Sequence, residues 1–136
     1  MSQFASAANL QNLRPGTILR LDRGLYDHVV LLGEHAWATE RQVLSFGPGP
    51  NGLVEMPFSQ FAGTTGVTVD GYLGALAPAD VLARARKIGG QRRYSWLGFN
   101  CEHFVRAAHG ATIESPQLGR AFIVAMGAML FASARG

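Results

Sequence analysis

Residues 26–46 read YDHVVLLGEHAWATERQVLSF, two apolar runs either side of a polar connection. HVVLL (28–32) is continuous, of strand length and closed by Gly33, the pattern of a strand buried on both faces. After the connection 34–41, QVLSF (42–46) returns as its partner. With Gly33 opposite Gln42, Val30 faces Ser45, and alternation puts His28 and Ser45 on one face in diagonal contact. An imidazole opening a buried strand needs a polar partner, and Ser45 can accept or donate a hydrogen bond without carrying charge.

Outward from this pair, Pro15-Gly16 turns the chain into TILRL (17–21), and Asp22-Arg23-Gly24 turns it again. GPGPNG (47–52) holds only turn formers and cannot continue a ladder. Segments 53–57 and 66–72 (GVTVDGY) read as further strands. Helices follow. PADVLARARKI (78–88) gathers Val81, Leu82, Ala85 and Ile88 on one face and is expected to stop at Gly89-Gly90. A second helix starts after Asn100, a good cap, and stops at Gly110. It turns Cys101, Phe104, Val105 and Ala108 inward and leaves Glu102 and Arg106 as a surface pair. Strands first and helices second make an α+β fold, a small antiparallel sheet packed against helices.

Composition narrows the function classes. A chain of 136 residues, 48% hydrophobic, has room for one core and too much apolar mass for disorder. Cys101 is the only cysteine, which excludes a disulfide scaffold. The net charge of +3 is spread along the chain, and the densest cluster, Arg84, Arg86, Lys87, Arg92 and Arg93, reads as a solvated helix face. It lacks the aromatic series of a nucleic-acid surface, so no nucleic-acid partner is expected. The histidines and the cysteine have no ligand spacing, so neither metal nor cofactor is expected. Residues 1–13 lack the charged start and apolar run of a secretory signal, which reads as a cytoplasmic chain. The apolar segment 121–134 (AFIVAMGAMLFASA) would make a helix about 21 Å long, capped by Ser115 with Pro116 at its first position. It reads first as a core or interface helix and second as a contact with a membrane surface.

Cys101 supports two readings. A free cysteine is commonly a small buried hydrophobe. At the first position of a helix, however, unpaired amides and the dipole favour a thiolate. A thiolate nucleophile needs an imidazole. His103 lies about 200° round the same helix, and His109 about 12 Å up its axis. His35 falls roughly 23 Å beyond His28 along extended chain. These three read as solvated or capping histidines, leaving His28 as the base. Tyr26, two residues earlier on the same face, is a candidate oxyanion donor or a packing ring.

These residues resemble the lecithin retinol acyltransferase-like domain, a circularly permuted relative of the NlpC-type papain-like thiol enzymes. Residues 13–18 (LRPGTI) resemble the family's opening strand, and Tyr26-Asp27-His28 the segment carrying its base. Residues 81–85, with Arg84-Ala85, resemble the helix before the nucleophile, and Tyr94 the aromatic that follows it. Asn100-Cys101-Glu102-His103-Phe104 matches the nucleophile motif, and Ser115-Pro116-Gln117 the segment after it. The resemblance implies an N-terminal extension over 1–12, a catalytic domain over 13–119 and a hydrophobic C-terminal helix over 120–136. It also implies thiol-mediated acyl transfer or hydrolysis on a lipid or phospholipid ester or a small acyl substrate. Cys101 would be the nucleophile and His28 the base, with helix-start amides holding the oxyanion and segment 121–134 meeting the membrane. One departure is Ser45, where the family commonly presents a second histidine to orient the first. Two rivals stand beside this reading: a cysteine peptidase or amidase on the same scaffold, and a catalytically weakened membrane-associated interaction module.

Overall fold

The hairpin at 28–46 forms in the expected register, pairing Leu31 with Leu44 and Leu32 with Val43, with the Gly33 amide donating to Gln42. A computed structural model of the chain describes residues 3–6, 9–36 and 39–111; the expected helix over 120–136 lies outside the described residues. Within them the strands β1 (Gln3–Ala5), β2 (Ile18–Asp22), β3 (Asp27–Leu32), β4 (Gln42–Phe46), β5 (Leu53–Pro57) and β6 (Val67–Gly71) form one sheet. Its order is β1-β6-β2-β3-β4-β5, and every neighbouring pair is antiparallel. The helices are α1 (Phe58–Ala62), α2 (Pro78–Gln91) and α3 (Cys101–Ala108). The fold is α+β.

Both faces of the sheet are covered, which is why 28–32 is apolar without alternation. On one face Ile18, Val29, Leu31, Leu44 and Phe46 pack against Val81, Leu82 and Ala85 of α2 and Phe104, Val105 and Ala108 of α3. On the other, Leu19, Leu21, Val30, Leu32 and Val43 pack against Leu10, Phe58 and Phe61. Burying each such Leu, Val or Phe contributes roughly 1.5–3 kcal/mol before chain entropy is counted.

Described residues ahead of β2 take part in the fold. Gln3–Ala5 pairs with β6 at one edge, and Leu10, in the 3-10 turn Leu10–Asn12, plugs the second face. Arg41 ties that turn down. Expected in a polar connection, it is instead buried, its guanidinium donating to the carbonyls of Leu10, Leu13 and Gly33. Carbonyl acceptors compensate part of the cost of burying the charge, and the remaining desolvation lowers its pKa.

The basic cluster is likewise more than a solvated face. Arg84 donates to the carbonyls of Ala107 and Ala108, where the negative end of the α3 dipole favours a cation. Arg86 bridges Glu34 at 2.6 Å and Glu55 at 3.0 Å, and Arg92 lies over the Phe99 ring at 4.2 Å. Helix α2 also runs through Gly89-Gly90 to Gln91 instead of stopping there. Gly89 is there for close approach: a Cβ on it would lie 2.6 Å from the Leu53 Cβ, whereas one on Gly90 meets nothing within 4 Å. Gly89→Ala is therefore expected to cost about 1–3 kcal/mol in urea unfolding. Gly90→Ala should be neutral or stabilise by up to about 1 kcal/mol, and equal effects would contradict this packing.

Candidate active site around Cys101

The site begins with a cap. Asn100 has extended backbone, and its Oδ1 accepts the amides of Glu102 at 3.0 Å and His103 at 3.2 Å. In return the Asn100 amide donates to His103 Nδ1 at 3.0 Å, so an imidazole plays the part a Glu or Gln plays in the usual capping box. His103 is thus a buried structural histidine. At the other end Gly110 takes the left-handed conformation, φ 74°, and ends the helix as its residue type predicts.

The cap fixes Cys101 at the first helical position, facing the sheet and 2% exposed. Its Sγ lies 3.9 Å from the Asp27 carbonyl and receives the Val29 amide. Those backbone groups are open to sulfur because β3 and β4 part company. Leu32 uses its N–H and C=O on Thr17 and Gly16 beside β2, so alternation turns Asp27 and Val29 toward β4. The β3–β4 ladder nevertheless pairs only Leu31 and Leu32, while Ser45 and Phe46 pair with β5. The thiol fills the resulting gap.

Burial, followed by the Glu102 carboxylate, pushes the Cys101 thiol up; the Val29 amide, its own amide and Arg20 pull the other way without prevailing. The helix start therefore does not produce a resting thiolate, contrary to the sequence expectation, because desolvation outweighs the dipole. Of the first-turn amides only that of Cys101 is left toward the sulfur. Asn100 Oδ1 takes those of Glu102 and His103, and the Asn100 carbonyl takes that of Phe104.

His28 and Ser45 meet as the register predicts, Nε2 to Oγ at 2.8 Å. They do so on the face of Val30, Leu32 and Val43, where the His28 ring lies 6.0 Å from Phe61. Cys101 packs with Val29 and Leu31 on the opposite face. The structure thus joins His28 to Ser45 and joins Cys101 to the β3 backbone, but it does not seat the imidazole on the sulfur. Burial, helped by Arg23, lowers the His28 pKa to about 4.

Tyr26 is a correction. Residues 24–26 form a bend ahead of β3, so strand alternation does not reach Tyr26. Its ring packs edge-on against Trp96 at 5.1 Å, beside Tyr94. Burial, then Cys101 and Tyr26, push the Tyr94 phenol up and keep it protonated. His35 is exposed as expected, but His109 is buried, its Nε2 2.8 Å from the Gly16 carbonyl.

Glu102 is the second correction. It is 3% exposed and faces Arg20 at 3.7 Å instead of forming a surface pair with Arg106. Arg20 also binds Asp27 at 3.0 Å and Asp70 at 2.7 Å. Sequence reasoning passed over this group. The available signal was Arg20 itself, a charge alternating with Leu19 and Leu21 in a strand where both faces are covered. Beside the site, a cleft of about 490 Å³ opens between the 48–52 turn and residues 89–94, with Arg92, Arg93 and Tyr94 on its wall. Among the described residues no His, Cys, Asp and Glu cluster is placed to hold a metal, and no helix is long and apolar enough to cross a membrane.

The neutral imidazoles set an acid limit. His28 and His103 titrate at about 4 in the folded chain, against about 6.5 when unfolded. The folded state resists their protonation, so the stability they contribute is complete above about pH 6.5 and drains as pH falls toward 4. Urea midpoints are expected to be level from pH 7 to 8 and to fall below 6.5, by at most roughly 3 kcal/mol per histidine. His28→Gln should remove part of the slope; an unchanged slope would contradict the assignment.

The family model described as lecithin retinol acyltransferase matches residues 11–112. No curated protein and no solved structure gives a match. The match spans β2 to the end of α3, including the Asn100 cap, Cys101, His28 and Ser45. The chain belongs to the lecithin retinol acyltransferase family, whose activity is of acyltransferase and acyl-hydrolase type.

Proposed function

We propose that the chain transfers or hydrolyses acyl groups through a thioester on Cys101, with His28 as base and then acid and a lipid ester as donor. The observation that carries this reading is the strand gap. Sulfur enters it from the α3 side, and the His28–Ser45 hydrogen bond spans from β3 to β4 on the other side. A neutral imidazole is the form that accepts a proton, and a depressed pKa keeps His28 in that form. For transfer, the imidazole leaves Ser45 and turns into the gap. His28 takes the thiol proton as sulfur attacks the ester carbonyl, the ester C–O bond breaks, and the leaving alkoxide takes that proton from the imidazolium to leave the thioester. Water or an acceptor alcohol or amine attacks the thioester next, giving its proton to His28; the C–S bond breaks, and the departing thiolate takes that proton back to restore the thiol.

Apolar surface supports the lipid ester. Leu25 and Leu97, both exposed, are the chain neighbours of the packed Tyr26–Trp96 pair. The apolar segment 121–134 is proposed to bring the protein to a membrane surface. The Tyr94 phenol, still protonated and within electrostatic reach of sulfur, is a better oxyanion donor than Tyr26. A second reading, the catalytically weakened interaction module, is favoured by the protonated thiol and by the imidazole's place across the sheet. The polar wall of the 490 Å³ cleft favours the amidase rival over a long-chain donor.

Intact-mass analysis after incubation with phosphatidylcholine vesicles, a p-nitrophenyl ester or an unblocked peptide separates the three. The expected result is a hydroxylamine-labile acyl adduct from the first two, absent in Cys101→Ala. His28→Ala should slow its formation about 100-fold or more, while His109→Ala, if folded, leaves it near the native rate. Peptide cleavage without lipid acylation would point to the amidase. No adduct and no cleavage, with the melting transition intact, would leave the inert module.

A further inference from the structure

The face of the sheet that meets the sulfur carries an ionic group that the acyl chemistry above does not use. Arg20 projects from β2 toward α3. Its Nε and one terminal nitrogen hold Asp70 of β6 at 2.8 and 2.7 Å, and the other terminal nitrogen holds Asp27 of β3 at 3.0 Å. That same nitrogen lies 3.7 Å from the Oε1 of Glu102, the residue next to the nucleophile. The groups facing the thiol are therefore Arg20 from β2, Asp27 from β3, Glu102 from α3, and Tyr26 and Tyr94 from the loops, with Asp70 behind Arg20; His28 lies on the reverse of β3.

We propose that Arg20 is a positioning residue for the nucleophile: its guanidinium, held in place by Asp27 and Asp70, offsets the Glu102 carboxylate beside the sulfur and so makes the Cys101 thiolate accessible. The inference rests on Cys101 being the nucleophile. Its physical basis is local. Glu102 is almost fully buried one residue from Cys101, and an uncompensated carboxylate there would oppose a second negative charge on sulfur. A cation on the same face relieves that opposition, and Arg20 is on that face while the imidazole is on the other. A guanidinium suits the task because its fork binds two carboxylates and leaves a directed edge for a third. Consistent with this geometry, Glu102 raises the thiol's pKa and Arg20 lowers it.

The test is the pH dependence of Cys101 alkylation by iodoacetamide in the folded full-length chain. With a single cysteine in the sequence, all label reports this thiol. Arg20→Met is expected to move the midpoint up by on the order of one pH unit and to slow labelling at pH 7.5 about tenfold. Arg20→Lys, which restores the charge without the fork, should recover at least half of that shift, a rescue that a purely packing role would not give. Glu102→Gln should move the midpoint down. An unmoved midpoint in folded Arg20→Met overturns the proposal, as does a Glu102→Gln midpoint that fails to fall; if Arg20→Met does not fold, Glu102→Gln decides alone. Alkylation needs no acyl donor, so a protein that never forms an acyl adduct overturns the preceding reading while this profile is read independently.

Discussion

Asn100 Oδ1 accepts two amide protons at once, and that one side chain determines where the last helix starts, which way Cys101 faces and what is left for chemistry. A cap of this kind is worth on the order of 1 kcal/mol, small beside the core, yet it has no substitute in geometry. It engages His103 in return, the imidazole Nδ1 accepting the Asn100 amide. It also occupies the amides of Glu102 and His103. The helix therefore delivers its first side chain accurately while offering fewer free N–H groups than a bare N-terminus would.

The second constraint is the parting of β3 from β4. Where two strands separate, backbone donors and acceptors need other partners, because leaving them buried and unpaired is costly. Here sulfur supplies them on one side, and the His28–Ser45 bond bridges the strands on the other. The His28 imidazole and the Cys101 thiol rest neutral for the same reason: each is buried, and desolvation dominates the neighbouring charges in setting its pKa. Any acyl chemistry must therefore begin with a movement or a substrate contact that changes one of those environments.

Two arginines, one buried and one half-buried, show how differently the fold accommodates positive charge. Arg41 relies on backbone carbonyls and serves to lock the N-terminal turn against the hairpin. Arg20 relies on carboxylates and sits against the nucleophile's helix. Neither was conspicuous in the sequence, where one lay in a polar connection and the other in a strand of ordinary appearance. Glu102 was misplaced for a related reason. Helical spacing relates Glu102 to Arg106, but β2 crosses that face of α3 and brings a competing guanidinium, and no local pattern reports what another element will present.

The bounds of β2 to β6 to within a residue, the hairpin register, the Asn100 and Gly110 limits of α3 and the meeting of His28 with Ser45 were legible, because each depends on residues close in the chain or on a period of two. The family motif at 100–104 was legible too, as a string of residue types. What the sequence by itself determined is therefore the central strands and the two longer helices, with the side chains that share a face of each; the edge strand Gln3–Ala5 and the short helix Phe58–Ala62 carry no such signal. Tertiary structure alone decided which faces meet. It set Cys101 against the side of β3 away from His28, drew Arg20 to Glu102, and buried the thiol deeply enough that desolvation overrides the helix dipole. Those outcomes depend on the docking of α3 onto the sheet, a long-range packing choice with no short-range signature.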